Sequence, residues 1–306
     1  NDTYIQRHID VVLSLLPLAT LEAIRKRKFK VAVDAVNSTG GIAIPLLLER
    51  LGAEVVPLYC EPNGQFPHNP EPLKEHLADI CAKVVEAKAD LGVVVDPDVD
   101  RLALITEEGE MFGEEYTLVA CADYYLSKKK GNVVSNLSSS RALRDIAEKH
   151  GVEYAAAAVG EVNVVTKMKE VNAVIGGEGN GGVIFPKLHY GRDALVGVVL
   201  FLSLLVEKDT TVSALRRSYP AYFMSKNKIQ LTTGLNPDKV LHAMQEKYAH
   251  EQITTIDGLK IDFPFSWVHL RKSNTEPIIR IYTEAKTQAE ADALATRFME
   301  EMAAIS

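Results

Sequence analysis

The chain has 306 residues and a formal net charge of −7, with 47% hydrophobic and 25% charged residues. That length predicts two or three domains, and the composition is typical of a soluble globular protein. The acidic balance argues against nucleic acid or an anionic membrane as the main partner, but it leaves room for a local basic pocket that binds an anionic substrate.

The cysteines and apolar runs indicate a cytoplasmic protein. Cys60, Cys81 and Cys121 are odd in number, scattered and without metal-type spacing, which favours reduced thiols over a disulfide framework. The longest apolar run, residues 194–206, is too short and too interrupted to span a bilayer, and no secretory signal is evident. The chain starts at Asn1, which indicates a trimmed protein or a piece of a longer one, and no sequence feature predicts an oligomeric state.

Alternating strand and helix patterns predict an α/β domain over residues 1–107. Two short helices are expected before residue 28, and a longer helix over Leu73–Ala89. The other predicted elements of this domain are a helix over 40–51 and strands over 30–34, 54–58, 93–95 and 102–104. In such sheets, ligands bind beyond the carboxyl ends of the strands.

A second α/β domain is predicted over residues 108–210 and a smaller α+β domain, with a mostly antiparallel sheet, over 211–306. In the second domain, helices are expected over 114–129, from Ser139 or Ser140 to 150, 162–170 and 194–208, with strands over 132–136, 153–157, 173–176 and 183–185. In the third, strands are expected over 228–231, 258–262, 267–271 and 278–284, with helices over 237–248 and 288–304.

Three carboxylates occupy alternate positions in the loop after the third strand, at Asp96, Asp98 and Asp100, and Arg101 follows them. We call residues 96–101 the acidic loop. Carboxylates that converge in this way repel one another unless a cation lies between them, and hard oxygen ligands favour Mg²⁺. The arginine offers a planar fork for a phosphate oxygen. A solvated acidic turn is the alternative interpretation.

The glycine loop, residues 177–182, carries Glu178 and Asn180 between four glycines. Glycines allow close approach of a ligand, and a carboxylate two residues from an amide can hydrogen-bond sugar hydroxyls. A flexible glycine turn without a ligand is the alternative. The loop lacks the strand–helix context and the distal acid of a dinucleotide-binding fingerprint.

The cationic loop, residues 271–280, concentrates cations and hydroxyls in an otherwise acidic protein. This composition favours a phosphate pocket over a solvated surface. Glu276 is expected to orient an arginine. The candidate phosphate-binding residues are Arg271, Ser273, Asn274, Thr275 and Arg280.

In order and spacing, the three loops resemble those of the α-D-phosphohexomutase family, which includes phosphoglucomutase, phosphomannomutase and phosphoglucosamine mutase. The acidic loop matches the D-P-D-x-D-R metal loop, the glycine loop is similar to the sugar-recognition loop, and the cationic loop matches R-x-S-N-T-E-P-x-x-R. The resemblance covers nearly the whole chain and corresponds to domains two to four of the family.

The resemblance implies a Mg²⁺ ion held by Asp96, Asp98 and Asp100, with Arg101 approaching a phosphate as the catalytic arginine. Glu178 and Asn180 would bind the sugar of a hexose phosphate, and the cationic loop would bind the phosphate that is not transferred. The implied reaction interconverts hexose 1-phosphate and 6-phosphate through an enzyme phosphoserine and a bisphosphate intermediate.

The sequence departs from the family at the nucleophile. The family's phosphoserine lies in its first domain, in a loop of T-x-S-H-N-P type. The segment of this chain that is similar to that motif, residues 67–70, has Pro67 in place of the serine. Ser138, Ser139 and Ser140 are expected to be helix-capping residues. We therefore expect the nucleophile to come from a missing N-terminal domain in cis and this chain to be inactive alone.

A second departure is Gly182, where family members with a G-E-x-S-G-H loop have a histidine suited to proton transfer. The general acid and base are therefore unassigned, with His189 and Arg192 as possible substrate-facing substitutes. Glu178 with Asn180 is compatible with glucose, mannose or glucosamine phosphates. Two alternatives stay open: a non-catalytic sugar-phosphate-binding protein, and a metal-dependent phosphatase with Asp96 as nucleophile, which Pro97 and the separate phosphate loop fit poorly.

Overall fold

The computed structural model describes residues 3–230, 236–272 and 278–305. Contacts divide the chain into two compact units, which we describe separately. Unit 1 comprises residues up to 135 together with 142–156 and 160–219. Unit 2 comprises 136–141, 157–159 and the residues from Pro220 onward.

Unit 1 begins with a mixed four-stranded sheet whose strand order is β2-β1-β3-β4. Three strands run parallel, and the last is antiparallel to its neighbour β3. The strands are β1 (Lys30–Asp34), β2 (Glu54–Leu58), β3 (Leu91–Val95) and β4 (Leu102–Thr106). The accompanying helices are α1 (Thr3–Ser14), α2 (Leu18–Arg27), α3 (Gly40–Arg50) and α4 (Ala78–Ala87). Ile80 and Val84 of α4 pack on Ala32, Val94 and Ile105 of the sheet, so the apolar stripe of the helix positions the strand ends.

A second mixed sheet has the order β6-β5-β7-β8, with β5 and β7 parallel and β7 and β8 antiparallel. Its strands are β5 (Val133–Asn136), β6 (Tyr154–Ala157), β7 (Ile175–Glu178) and β8 (Gly182–Ile184). The helices are α5 (Glu114–Lys128), α6 (Ala142–His150), α7 (Glu161–Glu170), α8 (Ala194–Lys208) and α9 (Val212–Ser218). Helix α8 is buried from Ala194 to Leu205, and Asp193 caps it by accepting a hydrogen bond from the Val196 N–H. No helix in the described part of the chain is long and apolar enough to cross a bilayer.

Unit 2 contains an antiparallel sheet of order β10-β11-β12-β13-β9. Its strands are β9 (Phe223–Gln230), β10 (Gln252–Thr254), β11 (Leu259–Asp262), β12 (Trp267–Lys272) and β13 (Ile278–Ala285). Two helices, α10 (Pro237–Lys247) and α11 (Gln288–Ala303), complete it. Val240, Met244 and Phe298 of these helices lie in one buried core with Ile261 and Leu270. The sheet therefore has one apolar face covered by helices.

The predicted fold class is confirmed: two α/β segments with mixed sheets precede an α+β segment with an antiparallel sheet. The division at residues 107 and 210 stays a prediction. The helix predicted over Leu73–Ala89 is interrupted, because Leu77, with φ −109° and ψ 19°, separates a short 3₁₀ helix over Lys74–His76 from α4. Strand β7 also runs two residues beyond its predicted end, to Glu178, because the glycine loop pairs with β8 as a hairpin.

Candidate functional site

The acidic loop is the tight connection between antiparallel strands β3 and β4. Asp96 organises it, since its Oδ1 atom accepts hydrogen bonds from the backbone N–H groups of Asp100 and Arg101, each at 3.0 Å. Val99 has a φ of 62°, and its carbonyl accepts a hydrogen bond from the Ala194 N–H at 3.0 Å. A β-branched residue in the left-handed region is strained, and such strain is concentrated at functional sites.

The three carboxylates of the acidic loop converge: Asp96, Asp98 and Asp100 each offer an oxygen, and these atoms lie within 4.8 Å of one another. Asp96 is buried and Asp98 is exposed. Burial and the neighbouring carboxylates of Asp100 and Asp98 raise the pKa of Asp96 to about 6, although the Arg101 N–H opposes the shift. Asp100 Oδ1 is buried without a hydrogen-bond partner. An orphaned oxygen among clustered carboxylates is the donor set that a hard divalent cation fits.

Arg101 lies beside this cluster and is held from two directions. Its Nε atom is 3.5 Å from Asp96 Oδ2, and its Nη1 donates to Glu71 Oε1 at 3.2 Å. The Arg101 side chain is 28% exposed, so the guanidinium remains accessible to a ligand. Glu71 follows the residues 67–70 motif, in which His68 Nε2 lies 3.0 Å from the buried Asp34 Oδ2. The residues that resemble a serine loop therefore anchor the segment that orients Arg101.

The glycine loop is the tip of the β7–β8 hairpin, and it joins the acidic loop through the backbone. The Leu102 N–H donates to the Gly181 carbonyl at 3.0 Å, and Arg101 forms a bridge with Gly182. Gly181 has a φ of 90°, and a Cβ atom there would meet the Leu102 carbonyl oxygen at 2.5 Å. Only glycine allows this approach, so the structure brings two of the three predicted loops together.

The two predicted sugar-binding side chains both lie at this tip. Glu178 is buried, and its Oε1 accepts a hydrogen bond from the Gly160 N–H at 3.3 Å. Asn180 is half-buried, and its Oδ1 accepts from the Gly182 N–H at 3.2 Å, which leaves its NH₂ group as the part that can donate to a ligand. The hairpin thus presents fixed polar groups rather than a flexible turn.

Arg192 is the residue at which these elements meet. Its Nη1 donates to Glu178 Oε2 at 3.0 Å, its Nη2 donates to Asp100 Oδ2, and its Nε lies 3.2 Å from Glu161 Oε2. The three carboxylates hold the pKa of Arg192 above its usual value, although burial acts in the opposite direction. A single guanidinium therefore ties the acidic loop to the glycine loop.

His189, the other suggested substitute for the missing histidine, is engaged elsewhere. Its Nδ1 accepts from the Gly191 N–H at 3.0 Å, so its Nε2 carries the proton that bonds Asp193 Oδ2 at 3.1 Å. His8 Nε2 lies 2.6 Å from the same oxygen. Burial would raise the pKa of Asp193, but the bonds from His189 and His8 outweigh it and lower the pKa to about 2. His189 therefore supports the N-terminus of α8.

Unit 2 contains the two arginines of the cationic loop. Arg271 on β12 lies directly opposite Arg280 on β13, which in turn lies opposite Lys228 on β9. Residues that face one another across antiparallel strands share one side of the sheet. Arg271 Nη1 is 3.6 Å from Asp257 Oδ2, and Arg280 is exposed. Ser273, Asn274 and Thr275 lie outside the described residues.

Ser138, expected to be a helix-capping residue, instead bonds a buried histidine within unit 2. His269 Nε2 is 2.6 Å from the Asp257 carbonyl oxygen, so its Nδ1 is the acceptor for the Ser138 hydroxyl at 2.9 Å. Burial lowers the pKa of His269 to about 4. This pair joins residues 136–141 to strand β12 of the antiparallel sheet.

Sequence profiles identify the family. Residues 6–109 match phosphoglucomutase/phosphomannomutase alpha/beta/alpha domain II, residues 113–222 match alpha/beta/alpha domain III, and residues 228–301 match the C-terminal domain. The chain belongs to the phosphoglucomutase/phosphomannomutase family. The resemblance to this family is thereby confirmed over almost the entire chain.

Relatives and solved structures support the same membership. The chain is 37% identical over 276 residues to a phosphoglucomutase/phosphomannomutase of Thermococcus kodakarensis, covering 89% of this chain and 60% of the relative. It is 32% identical over 303 residues to a phosphoglucosamine/phosphogalactosamine mutase of Sulfurisphaera tokodaii, covering 96% and 65%. A structure of a phosphoglucomutase/phosphomannomutase family protein from Burkholderia thailandensis matches with a TM-score of 0.80 at 28% identity, over 93% of this chain and 63% of that one. The chain thus spans less than two thirds of each.

Three residues that neighbour the predicted arginines carried no strong signal in the sequence. Glu71, Glu161 and Lys228 are ordinary charged residues outside the three loops, and only the folded chain brings them to Arg101, Arg192 and Arg280. A weak signal existed for Glu161, because Val159-Gly160-Glu161 resembles a family loop near the sugar. Strand pairing would have identified Lys228, but it requires a register that sequence does not supply.

Proposed function

We propose that this chain is the metal-binding and substrate-binding part of a Mg²⁺-dependent phosphohexomutase of the cytoplasm. The complete enzyme would interconvert hexose 1-phosphate and 6-phosphate through a phosphoserine and a bisphosphate intermediate. The observation that carries the proposal is the link between the acidic loop and the glycine loop, made by the Leu102–Gly181 hydrogen bond and by Arg192. This arrangement holds a cation site beside a sugar-binding hairpin.

The acidic loop would hold the metal through Asp96, Asp98 and Asp100, whose oxygens fit a hard cation and include an orphaned atom of Asp100. When bound, Mg²⁺ neutralises negative charge on a phosphoryl group that is being transferred. Arg101 would donate its accessible guanidinium to the same phosphate, in the orientation set by Glu71.

Two sets of residues would bind parts of a hexose phosphate. Glu178 would accept hydrogen bonds from sugar hydroxyls, and Asn180 would donate from its free NH₂ group. Arg271, Arg280 and the neighbouring Lys228 would bind the phosphate that is not transferred, together with Ser273, Asn274 and Thr275. Among the described residues, Asp257 is the one carboxylate that pairs with this row of cations, so the row is costly without an anionic ligand. This cost supports the assignment.

The nucleophile would be a serine outside these 306 residues, supplied in cis by an N-terminal domain of the complete protein. The engagement of Ser138 by His269 and the position of residues 67–70 beside Asp34 support this view. Direct attack by Asp96, as in a phosphatase, is disfavoured because its Oδ1 already accepts two backbone N–H groups and its side chain is buried. The free thiols of Cys60, Cys81 and Cys121 support a reducing compartment.

Calorimetric titration of the chain with glucose 6-phosphate, mannose 6-phosphate and glucosamine 6-phosphate tests the proposal. Glu178→Gln should weaken binding of the preferred sugar phosphate by about tenfold, because one charged hydrogen-bond acceptor is lost. The matched control is Glu170→Gln, an exposed acid of helix α7 that pairs with Lys167. Failure of all three ligands to bind, or equal binding by Glu178→Gln and the wild type, would refute the assignment.

A mutase assay with a bisphosphate activator compares the 306-residue chain with the complete protein. We expect no turnover by the 306-residue chain and turnover by the complete protein that contains the N-terminal domain. Turnover by this chain alone would show that its nucleophile lies among the residues described above.

A further inference from the structure

A side chain at position 182 would clash with Arg192, which comes from another part of unit 1. A Cβ atom built on Gly182 would collide with Cδ of Arg192 and lie 3.1 Å from its Cγ. The backbone itself would accept a side chain, because Gly182 is not among the glycines with positive φ. The stem of Arg192 therefore occupies the volume that any side chain at position 182 would need.

The guanidinium of Arg192 lies among three carboxylates. Nη1 donates to Glu178 at 3.0 Å, Nη2 donates to Asp100, and Nε lies 3.2 Å from Glu161. The backbone N–H of Arg192 also donates to Glu161, at 3.3 Å, and the side chain is only 14% exposed. With two carboxylates hydrogen-bonded and a third within ion-pair distance, this arginine is suited to orient those carboxylates. It holds other groups in place.

We infer that positions 182 and 192 form a mutually exclusive pair, in which a side chain at 182 and the arginine stem compete for one volume. In this chain the arginine takes the volume and acts as the positioning residue that fixes Glu178 relative to Asp100. The steric part stands on geometry alone, whereas the positioning part rests on the proposed roles of Glu178 and Asp100.

The chemistry of arginine suits this task. Its planar fork can bond two carboxylates at once in a fixed relative orientation, and lysine, with a single ammonium group, cannot reproduce that geometry. Without the fork, Glu178 and Asp100 would each keep a partly buried charge with fewer partners and would adopt several rotamers. Arg192 would therefore set ligand affinity at the hairpin through the orientation of Glu178 and Asp100.

A double-mutant cycle tests the steric part. Gly182→Ala should lower the thermal unfolding midpoint by several degrees in the wild-type background and by less than about 1 °C when combined with Arg192→Ala. Arg192→Lys keeps the methylene stem, so in that background the penalty of Gly182→Ala should persist. An equal penalty for Gly182→Ala in all three backgrounds would overturn the exclusion.

Binding of glucose 6-phosphate, or of the hexose phosphate preferred in the panel above, tests the positioning part. Arg192→Lys should fold with a midpoint near that of the wild type and bind the sugar phosphate about tenfold more weakly. Unchanged affinity would overturn the positioning role. If the wild-type chain bound no hexose phosphate, the proposed function would fail, and the unfolding cycle would still decide whether positions 182 and 192 exclude each other.

Discussion

Arg271 and Arg280 lie directly opposite each other on adjacent antiparallel strands of unit 2, and Lys228 continues the row on the next strand. Like charges in facing positions destabilise a sheet. The only acid that pairs with the row among the described residues is Asp257, at 3.6 Å from Arg271. Such an arrangement would become favourable if an anion lay over it.

Replacement of Arg280 by alanine should therefore raise the stability of unit 2 and weaken its binding of phosphate. At low salt we expect the free energy of unfolding of unit 2 to rise by about 0.2–1 kcal/mol, because a like-charge contact is removed. Affinity for inorganic phosphate should fall by about tenfold. Urea denaturation and calorimetric titration measure the two effects, and Lys239→Ala in helix α10 is the control. Unchanged phosphate affinity would argue against the anion site.

Gly181→Ala should disrupt the junction of the acidic and glycine loops. Both Gly181 and Gly64 have positive φ, but only Gly181 has a backbone oxygen, that of Leu102, within 2.5 Å of the Cβ position. Gly64→Ala should cost about 1–2 kcal/mol in free energy of unfolding, from backbone strain alone. Gly181→Ala should cost more and should also weaken Mg²⁺ binding. Equal costs for the two substitutions would show that the close approach is unimportant.

The buried His269 predicts a pH dependence for unit 2. Burial lowers its pKa to about 4 from an ordinary value near 6.5, so the folded state favours neutral imidazole. As the pH falls, the unfolded state takes up the proton at a higher pH than the folded state does. The stabilisation from neutral His269 is therefore complete above about pH 6.5. The free energy of unfolding then falls by about 3 kcal/mol in total as the pH drops toward 4. Urea denaturation of His269→Gln between pH 7 and pH 5 should show a shallower slope than the wild type. Identical slopes would contradict this assignment.

Asp123 makes a contrasting prediction for unit 1. Its buried carboxylate accepts hydrogen bonds from Lys149, His150, Lys208 and Tyr219. Burial alone would raise the pKa of Asp123, but the bonds from His150, Lys149 and Lys208 outweigh it and hold the pKa well below its usual range. Its stabilisation is therefore complete above about pH 4 and is lost as the pH falls further.

Substitution of Asp123 by asparagine should destabilise unit 1 by about 2 kcal/mol at pH 7, because the hydrogen bonds from Lys149, His150 and Lys208, whose side chains are partly exposed, lose their charged acceptor. The measurement is urea denaturation at pH 7, with Asp209→Asn after helix α8 as the control. The difference from wild type should shrink below pH 4. A loss under about 0.5 kcal/mol at pH 7 would indicate that the partners find other acceptors.

Local patterns explain why much of the fold could be predicted. Helix α8 was predicted over its observed range, because the apolar run of residues 194–206 begins directly after the capping residue Asp193 and is followed by the charged residues Glu207 and Lys208. The acidic and glycine loops were also identifiable, since acidic or glycine-rich stretches follow short apolar strands. These features depend on neighbours in sequence, and no long-range contact is needed to recognise them.

The remaining features depend on contacts between distant residues. Arg192 could be suggested from the loop before α8, but its partner Asp100 lies 92 residues away. The break at Leu77 and the edge strand Gln252–Thr254 were missed because a single non-helical residue and a three-residue strand leave almost no periodic signal. Neither periodicity nor composition specifies which charged groups the fold brings together.

The most direct test of the account is calorimetric titration of Mg²⁺ into the wild-type chain and into Asp98→Asn. Asp98 is exposed, so its replacement should leave the fold intact while removing one of three converging carboxylates. Glu86→Gln, in helix α4, is the control for loss of a surface acid. We predict saturable Mg²⁺ binding by the wild type and by Glu86→Gln, and affinity at least about tenfold weaker for Asp98→Asn. Equal affinities for the wild type and Asp98→Asn, or no binding by either, would contradict the account.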